Sequence, residues 1–359
     1  MITAALTFET PRTKGHAITV SRRQLLTAAA VLPLTAGCTI NTADRQSPSL
    51  APSSTASPAR SPAVSAPSSR SSAPANPGRW MPTAGEVMPE IKRAATSFLE
   101  AGGSWSEGGG VLDSLRTAGV SLEVAATAAL LQPGDVLAST LRVVYPQYAG
   151  IGPESAAVIV LFDQLLQRPT LAQPAETTRQ MALDIRLKRD IAAGTAWTVE
   201  KINPLTSLGS PVPLTAAASS VLSNPRITLS EPARLDIGTG RINNNVLQIM
   251  LRLADRFTYA VQVMHTGHIQ TVFPHPRLSN HAVGRAVDIR EINGRRVVDD
   301  PDNNPTIFEF VTEAALLGAT EVGGPTDLNG DRPGFFTDDV HSDHIHIGIT
   351  PGNAPAHLR

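Results

Sequence analysis

Apolar residues at Val87, Ile91, Ala95, Phe98 and Leu99 recur with a helical period, which predicts a helix over 87–99. Gly102 and Gly103 stop it. Two further apolar stretches, 120–131 and 155–166, read as helices, set apart by Pro133-Gly134 and by the turn residues of 150–153. The period then changes. Met181, Leu183, Ile185 and Leu187 alternate with polar neighbours, which predicts a half-buried strand, and 197–200 beyond a turn at Gly194 reads as its returning partner. Residues 80–204 therefore predict a small α+β domain, mostly helices with a hairpin. It holds no histidine and no catalytic cluster, and reads as a spacer, binding or docking unit.

Residues 205–224 are rich in Pro, Ser and Ala and read as a connector with at most a helical turn. Regular patterning resumes beyond it. A strand is expected over 226–229, and a helix capped by Asn245 with Val246, Ile249, Met250 and Leu253 on one face. A second strand over 259–264 leads into His265 and His268, and Asn293-Gly294 is a strong hairpin signal. A helix over 305–317 starts with Pro in its first turn and ends at Gly318. A short strand or loop at 321–324, a loop at 329–333 and a last strand over 344–349 complete the pattern. The fold class is α+β: a small antiparallel sheet with flanking helices over 225–351, preceded by the smaller α+β domain and followed by a tail over 352–359.

The first 79 residues follow different rules. Ser21-Arg22-Arg23 precedes an apolar run over 25–36 that is too short for a membrane-spanning helix, which needs about 20 apolar residues. Charged residues, a short apolar core and small residues at Ala36-Gly37 are the layout of an export signal, here of twin-arginine type, over 1–38. The segment ending at Cys38 resembles a bacterial lipobox, with Thr35 at the place of its usual Leu. That resemblance implies that Cys38, the sole cysteine, is lipidated and tethers the chain to the outer face of the cell membrane or places it in the cell wall. Residues 39–79 are dominated by Ser, Ala and Pro and cannot bury enough apolar surface to offset the entropy of ordering, so they read as a disordered linker. A net charge of −1 gives no basic face for phosphates, which argues against a nucleic-acid partner.

Candidate chemistry gathers in two motifs, SNHAVGRAVDI over 279–289 and HSDHIHIG over 341–348. Alternation along the last strand points His344 and His346 one way and Ile345, Ile347 and Ile349 the other. His281 and Asp288 stand seven apart with Gly284 permitting a tight turn between them. Two imidazoles and one carboxylate form a sound catalytic zinc set with a fourth position for water, whose pKa zinc lowers to about 7.

SNHAVGRAVDI looks like the Ser-x-His-x-x-Gly-x-Ala-x-Asp signature of the zinc D-Ala-D-Ala peptidases, a superfamily that includes murein endopeptidase and the hedgehog signalling domain. HSDHIHIG matches the His-x-x-His-x-His arrangement of the murein endopeptidase branch. The resemblance covers roughly 225–351. It implies one Zn²⁺ held by His281, Asp288 and His346, with His341 and His344 near the reacting carbonyl. Ser279 is implied as a nearby support, and His268 and Glu321 are candidate substrate contacts or supports behind the ligands. Many family members carry a Glu as general base where this chain has Asp343, one methylene shorter, so the base role passes to His344 or His341 while Asp343 stays a catalytic candidate. The family's Ser-Gly-Tyr-Arg appears as Thr266-Gly267-His268-Ile269 without its Arg, which leaves an endopeptidase as plausible as a carboxypeptidase. The implied partner is the peptidoglycan stem peptide. The alternative is a non-catalytic, zinc-stabilised lipoprotein that binds cell wall or protein.

Overall fold

A computed structural model describes residues 78–359 except 171–173, 206–208, 301–303, 331 and 358–359. The expected export signal over 1–38, Cys38 and the linker as far as residue 77 lie outside the described residues. The chain is mixed α/β, with largely antiparallel sheets and flanking helices. Among the described residues no helix is long and apolar enough to cross a membrane.

The N-terminal half opens with α1 (Pro89–Gly103), which has Pro in its first turn and buries Ile91, Ala95, Phe98 and Leu99 on one stripe. Short helices α2 (Val111–Thr117) and α3 (Leu122–Ala126) follow, the latter capped by the Ser121 hydroxyl, which accepts from the Val124 N–H. Four strands then form one antiparallel sheet in chain order: β1 (Ala138–Ile151), β2 (Ser155–Arg168), β3 (Ala175–Lys188) and β4 (Thr198–Ile202).

The helix expected over 155–166 is therefore strand β2, and the helix expected over 120–131 shrinks to α3 and a 3-10 turn at Ala129–Leu131. This half is a sheet with three small helices rather than helices with a hairpin. β2 is buried on both faces, so its sequence shows a continuous apolar run without the alternation that marks a strand. On one face Val158, Val160 and Phe162 pack with Leu183, Ile185 and the helices. On the other, Ala157, Ile159 and Leu161 pack with Ala182 and with Val263 and Ile269 of the C-terminal half.

The C-terminal half contains α4 (Ala216–Ser223), β5 (Ile227–Thr228), α5 (Glu231–Gly238), α6 (Asn244–Ala254), β6 (Tyr259–Val263), β7 (Ala286–Ile292), β8 (Arg295–Arg296), α7 (Pro305–Leu316), β9 (Glu321–Gly323), β10 (Phe335–Phe336) and β11 (Ile345–Gly348). Its sheet runs β10-β9-β11-β7-β6-β5, with β8 paired to β7. The β10/β9 and β5/β6 pairs are parallel and the others antiparallel. Asn293 and Gly294 both take left-handed backbone angles, φ 49° and 78°, as the expected two-residue hairpin requires. The cap of α6 is Asn243 rather than Asn245: its carboxamide oxygen accepts from the Asn245 N–H at 2.9 Å. The connector is more than a linker, since α4 lies within it and buries Ala217, Ala218 and Val221 in the C-terminal core.

Candidate metal centre

β11 and β7 are adjacent antiparallel strands, and their register sets His346 directly opposite Asp288. Ile345 and Ile347 face the core, fully buried, while His346 faces a cleft, as strand alternation requires. His281 enters from a 3-10 turn, His281–Val283, closed by Gly284 at φ 68°. A side chain at Gly284 would meet the Arg241 carbonyl oxygen at 1.8 Å, so the turn needs both the left-handed angle and the missing Cβ. Gly323, the β9 neighbour of His346, leaves room for the Phe336 ring and the edge of His341.

Three donor atoms converge. His281 Nε2 and His346 Nδ1 each lie 3.0 Å from Asp288 Oδ1 and 3.1 Å from each other. Zinc bonds of roughly 2.0–2.1 Å at tetrahedral angles set ligand atoms about 3.3 Å apart, close to this triangle. His281 Nδ1 bonds the Met264 carbonyl. With Nδ1 engaged there, Nε2 is the ring nitrogen of His281 that faces the carboxylate, and it is the atom a metal among the three donors would take. His268 stacks on His281, with ring centroids 3.7 Å apart, and its Nε2 lies 3.7 Å from Asp288 Oδ2. The His268–His281–Asp288 group could also hold a metal ion.

Burial alone would raise the Asp288 carboxyl. The imidazoles of His281 and His344, with the bonds from His281 and His346, hold it well below the usual carboxylate range. Burial and the neighbouring His281 keep His268 well below an ordinary histidine, and burial lowers His346 against the pull of Asp288.

Two histidine–aspartate pairs flank this triangle. His344 Nδ1 bonds Asp343 Oδ1 at 2.6 Å, and its Nε2 lies 3.9 Å from Asp288 Oδ2. His341 Nδ1 bonds Asp338 Oδ1 at 2.7 Å, and its ring stands edge-on to Phe336. Burial works to lower His344, but Asp288 and Asp343 together raise it above an ordinary histidine. Asp343, a catalytic candidate from sequence, is placed behind His344. It is buried, bonds His344 and does not line the cleft.

The N-terminal half, read from sequence as having no catalytic cluster, supplies polar partners to this site. Gln147 of β1 donates from Nε2 to Asp288 Oδ2 at 2.6 Å. The Tyr148 backbone N–H donates to Asp343 Oδ2 at 3.0 Å, and the Lys92 ammonium of α1 pairs with the same oxygen at 2.6 Å. Burial works to raise Asp343, but Lys92 and His344 outweigh it and hold the carboxyl below its ordinary value. Nothing local marks Gln147 in the sequence. Lys92 does carry a signal: it lies three residues before Ala95 and seven before Leu99, inside the apolar stripe of α1.

The remaining candidates lie around the triangle. The Ser279 hydroxyl accepts from the His281 N–H at 3.2 Å and pins the turn. Glu321 lies 3.9 Å from His346 Nε2 and accepts from Asn280 Nδ2 and the Thr350 hydroxyl; these partners outweigh burial and lower its carboxyl. Arg277, unmarked in the sequence reading, stands at the rim, 3.8 Å from Glu321. The cleft has a volume of about 350 Å³ and is lined by Tyr148, Phe273, Phe336 and the site histidines among others, a size suited to a small ligand or peptide segment. Comparison with protein-family models, with curated proteins and with solved structures finds no match for this chain in any of the three.

Proposed function

We propose that the chain is an exported, membrane-tethered zinc peptidase of the D-Ala-D-Ala peptidase superfamily, with the hedgehog-like fold of that group, hydrolysing peptide bonds in peptidoglycan stems or cross-links. The observation that carries the reading is the triangle of His281, Asp288 and His346, flanked by two histidines that each have an aspartate on Nδ1. Zinc held there would supply a Lewis acid that polarises the scissile carbonyl and acidifies water. His344, oriented by Asp343, presents Nε2 to take a proton from the attacking water and return it to the leaving amine. His341, with Asp338 on Nδ1, would steady the developing oxyanion by donating from Nε2 as an imidazolium. Arg277 at the rim is a cation for a carboxylate of the wall peptide.

One observation favours a second reading, a zinc-stabilised binding protein. The carboxylate nearest the family's general-base position, Asp343, is occupied by Lys92 and the Tyr148 N–H and does not reach the cleft.

The test is metal content and muropeptide cleavage on one preparation, beside His281→Ala and His346→Ala. One zinc per chain, lost in both variants together with cleavage, supports the peptidase. Zinc without cleavage of any muropeptide moves the assignment to the binding protein, and no zinc after reconstitution removes the site. Labelled palmitate incorporation that disappears in Cys38→Ala tests the anchor.

A further inference from the structure

The two oxygens of Asp288 have different surroundings. Oδ1 faces His281 and His346 at bonding distance, while Oδ2 accepts from Gln147 at 2.6 Å, with His268 Nε2 and His344 Nε2 further off at 3.7 and 3.9 Å. Gln147 is fully buried, and its own Oε1 has no hydrogen-bond partner among the described residues. A buried amide with an unpaired oxygen lowers stability, and a leucine would fill the space without that penalty. Packing therefore gives no reason for a glutamine here, whereas its N–H donor has a definite use. The strand is shaped for this delivery: β1 bulges between Val143 and Tyr145 and again between Tyr148 and Gly150, bracketing Gln147. Bulges of this kind re-aim side chains beside functional sites.

We propose that Gln147 is a positioning residue of the metal centre. It occupies Asp288 Oδ2, so that the carboxylate offers the metal Oδ1 alone. The N-terminal sheet is then a working part of the site and not a spacer. This inference rests on the metal-site reading above. A glutamine of matched setting serves as control: Gln262 of β6 is equally buried, also leaves its Oε1 unpaired, and bridges the same two halves, but its side-chain N–H goes to the Tyr145 carbonyl at 2.8 Å and not to Asp288.

The experiment uses the full chain, stripped of metal by chelation, then titrated with Zn²⁺ against a chromophoric chelator and with Co²⁺ followed by visible absorption. Gln147→Leu should raise the Kd for Zn²⁺ roughly 10- to 100-fold, the usual effect of losing a group that orients a ligand. It should also weaken the Co²⁺ bands, because the freed Oδ2 raises the coordination number. Gln262→Leu should leave the Kd and the bands as in the wild type. A wild-type Kd and spectrum in Gln147→Leu overturn the proposal and leave the metal site standing. Equal weakening in Gln262→Leu overturns it in favour of simple docking of the halves. A wild-type chain that binds neither metal overturns both readings. Should Gln147→Leu fail to fold, Gln147→Asn, whose amide falls one methylene short, carries the same comparison: a raised Kd supports the proposal, and a wild-type Kd overturns it.

Discussion

Replacing Lys92 with Met keeps the aliphatic stem and removes a charge that is wholly buried. The ammonium pairs with Glu86, lies 2.6 Å from Asp343 Oδ2 and donates to the Tyr145 hydroxyl at 3.0 Å. It also sits 4.8 and 4.5 Å from the ring centroids of Tyr145 and Tyr148. In Lys92→Met the buried carboxyls of Glu86 and Asp343 lose the ammonium they share. An effective dielectric of about 20 puts the lost attraction to Asp343 alone at roughly 6 kcal/mol before the remaining groups relax. Breaking a buried pair by removing one partner costs about 3–5 kcal/mol in practice. At about 2–4 °C per kcal/mol for a unit of this size, the melting temperature should fall by roughly 6–20 °C. Calorimetry on the wild type, Lys92→Met, Asp343→Asn and the double variant measures this directly. The double variant should melt above the value expected by adding the two single losses, because it no longer strands a charge at Asp343. A drop below about 2 °C in Lys92→Met, or strict additivity in the double variant, would refute the reasoning.

The same cluster sets a pH dependence. Asp343 is held below its ordinary value, so its contribution is present above the unfolded carboxyl value of about 4 and is lost as pH falls through the native value. Burial raises Glu86 against the pull of Lys92, so its contribution has the opposite sign and favours the fold at lower pH. Without Lys92 the largest opposition to burial is gone from both carboxyls, and urea midpoints below about pH 5 should show Lys92→Met gaining on the wild type as acid is added; parallel profiles would count against it. On the proposed function, His344→Gln should bind zinc as the wild type does while muropeptide turnover falls by about 100-fold or more; unchanged turnover removes His344 from proton transfer. Gly284→Ala should lose at least about 1–3 kcal/mol for its left-handed angle, and bind metal more weakly as the His281 turn shifts, both readable by thermal melts with and without chelator.

The C-terminal half was legible because its signals are local. His344, Ile345, His346 and Ile347 alternate within one short segment, Asn293-Gly294 names its own turn, and Pro305 and Gly318 bracket a helix. The donors of the triangle come from motifs whose spacing is visible in the chain. β2 was not legible for a physical reason: residues 156–162 are buried by helices on one side and by the other half of the protein on the other, so no polar face remains to show a period of two. The β-branched run Val158, Ile159 and Val160 was the available hint. Gln147 and the role of Asp343 depend on contacts between distant segments, which no local pattern encodes. Asp343 looked like a misplaced base because Lys92, its partner, lies on the first helix.

The bonds that complete the site span long stretches of chain: Gln147 reaches Asp288 across 141 residues, and Tyr148 reaches Asp343 across 195. Contacts of such separation form late, after loop-closure entropy has been met by simpler pairings such as β1 with β2 and β2 with β3. His281, Asp288 and His346 can therefore meet before the N-terminal sheet docks, but Asp288 Oδ2 gains its bond from Gln147 only when the whole unit has closed. On the proposed metal site, tight metal binding would then be a chemical signature of finished folding, and a partly folded chain would be one that exchanges its ion freely.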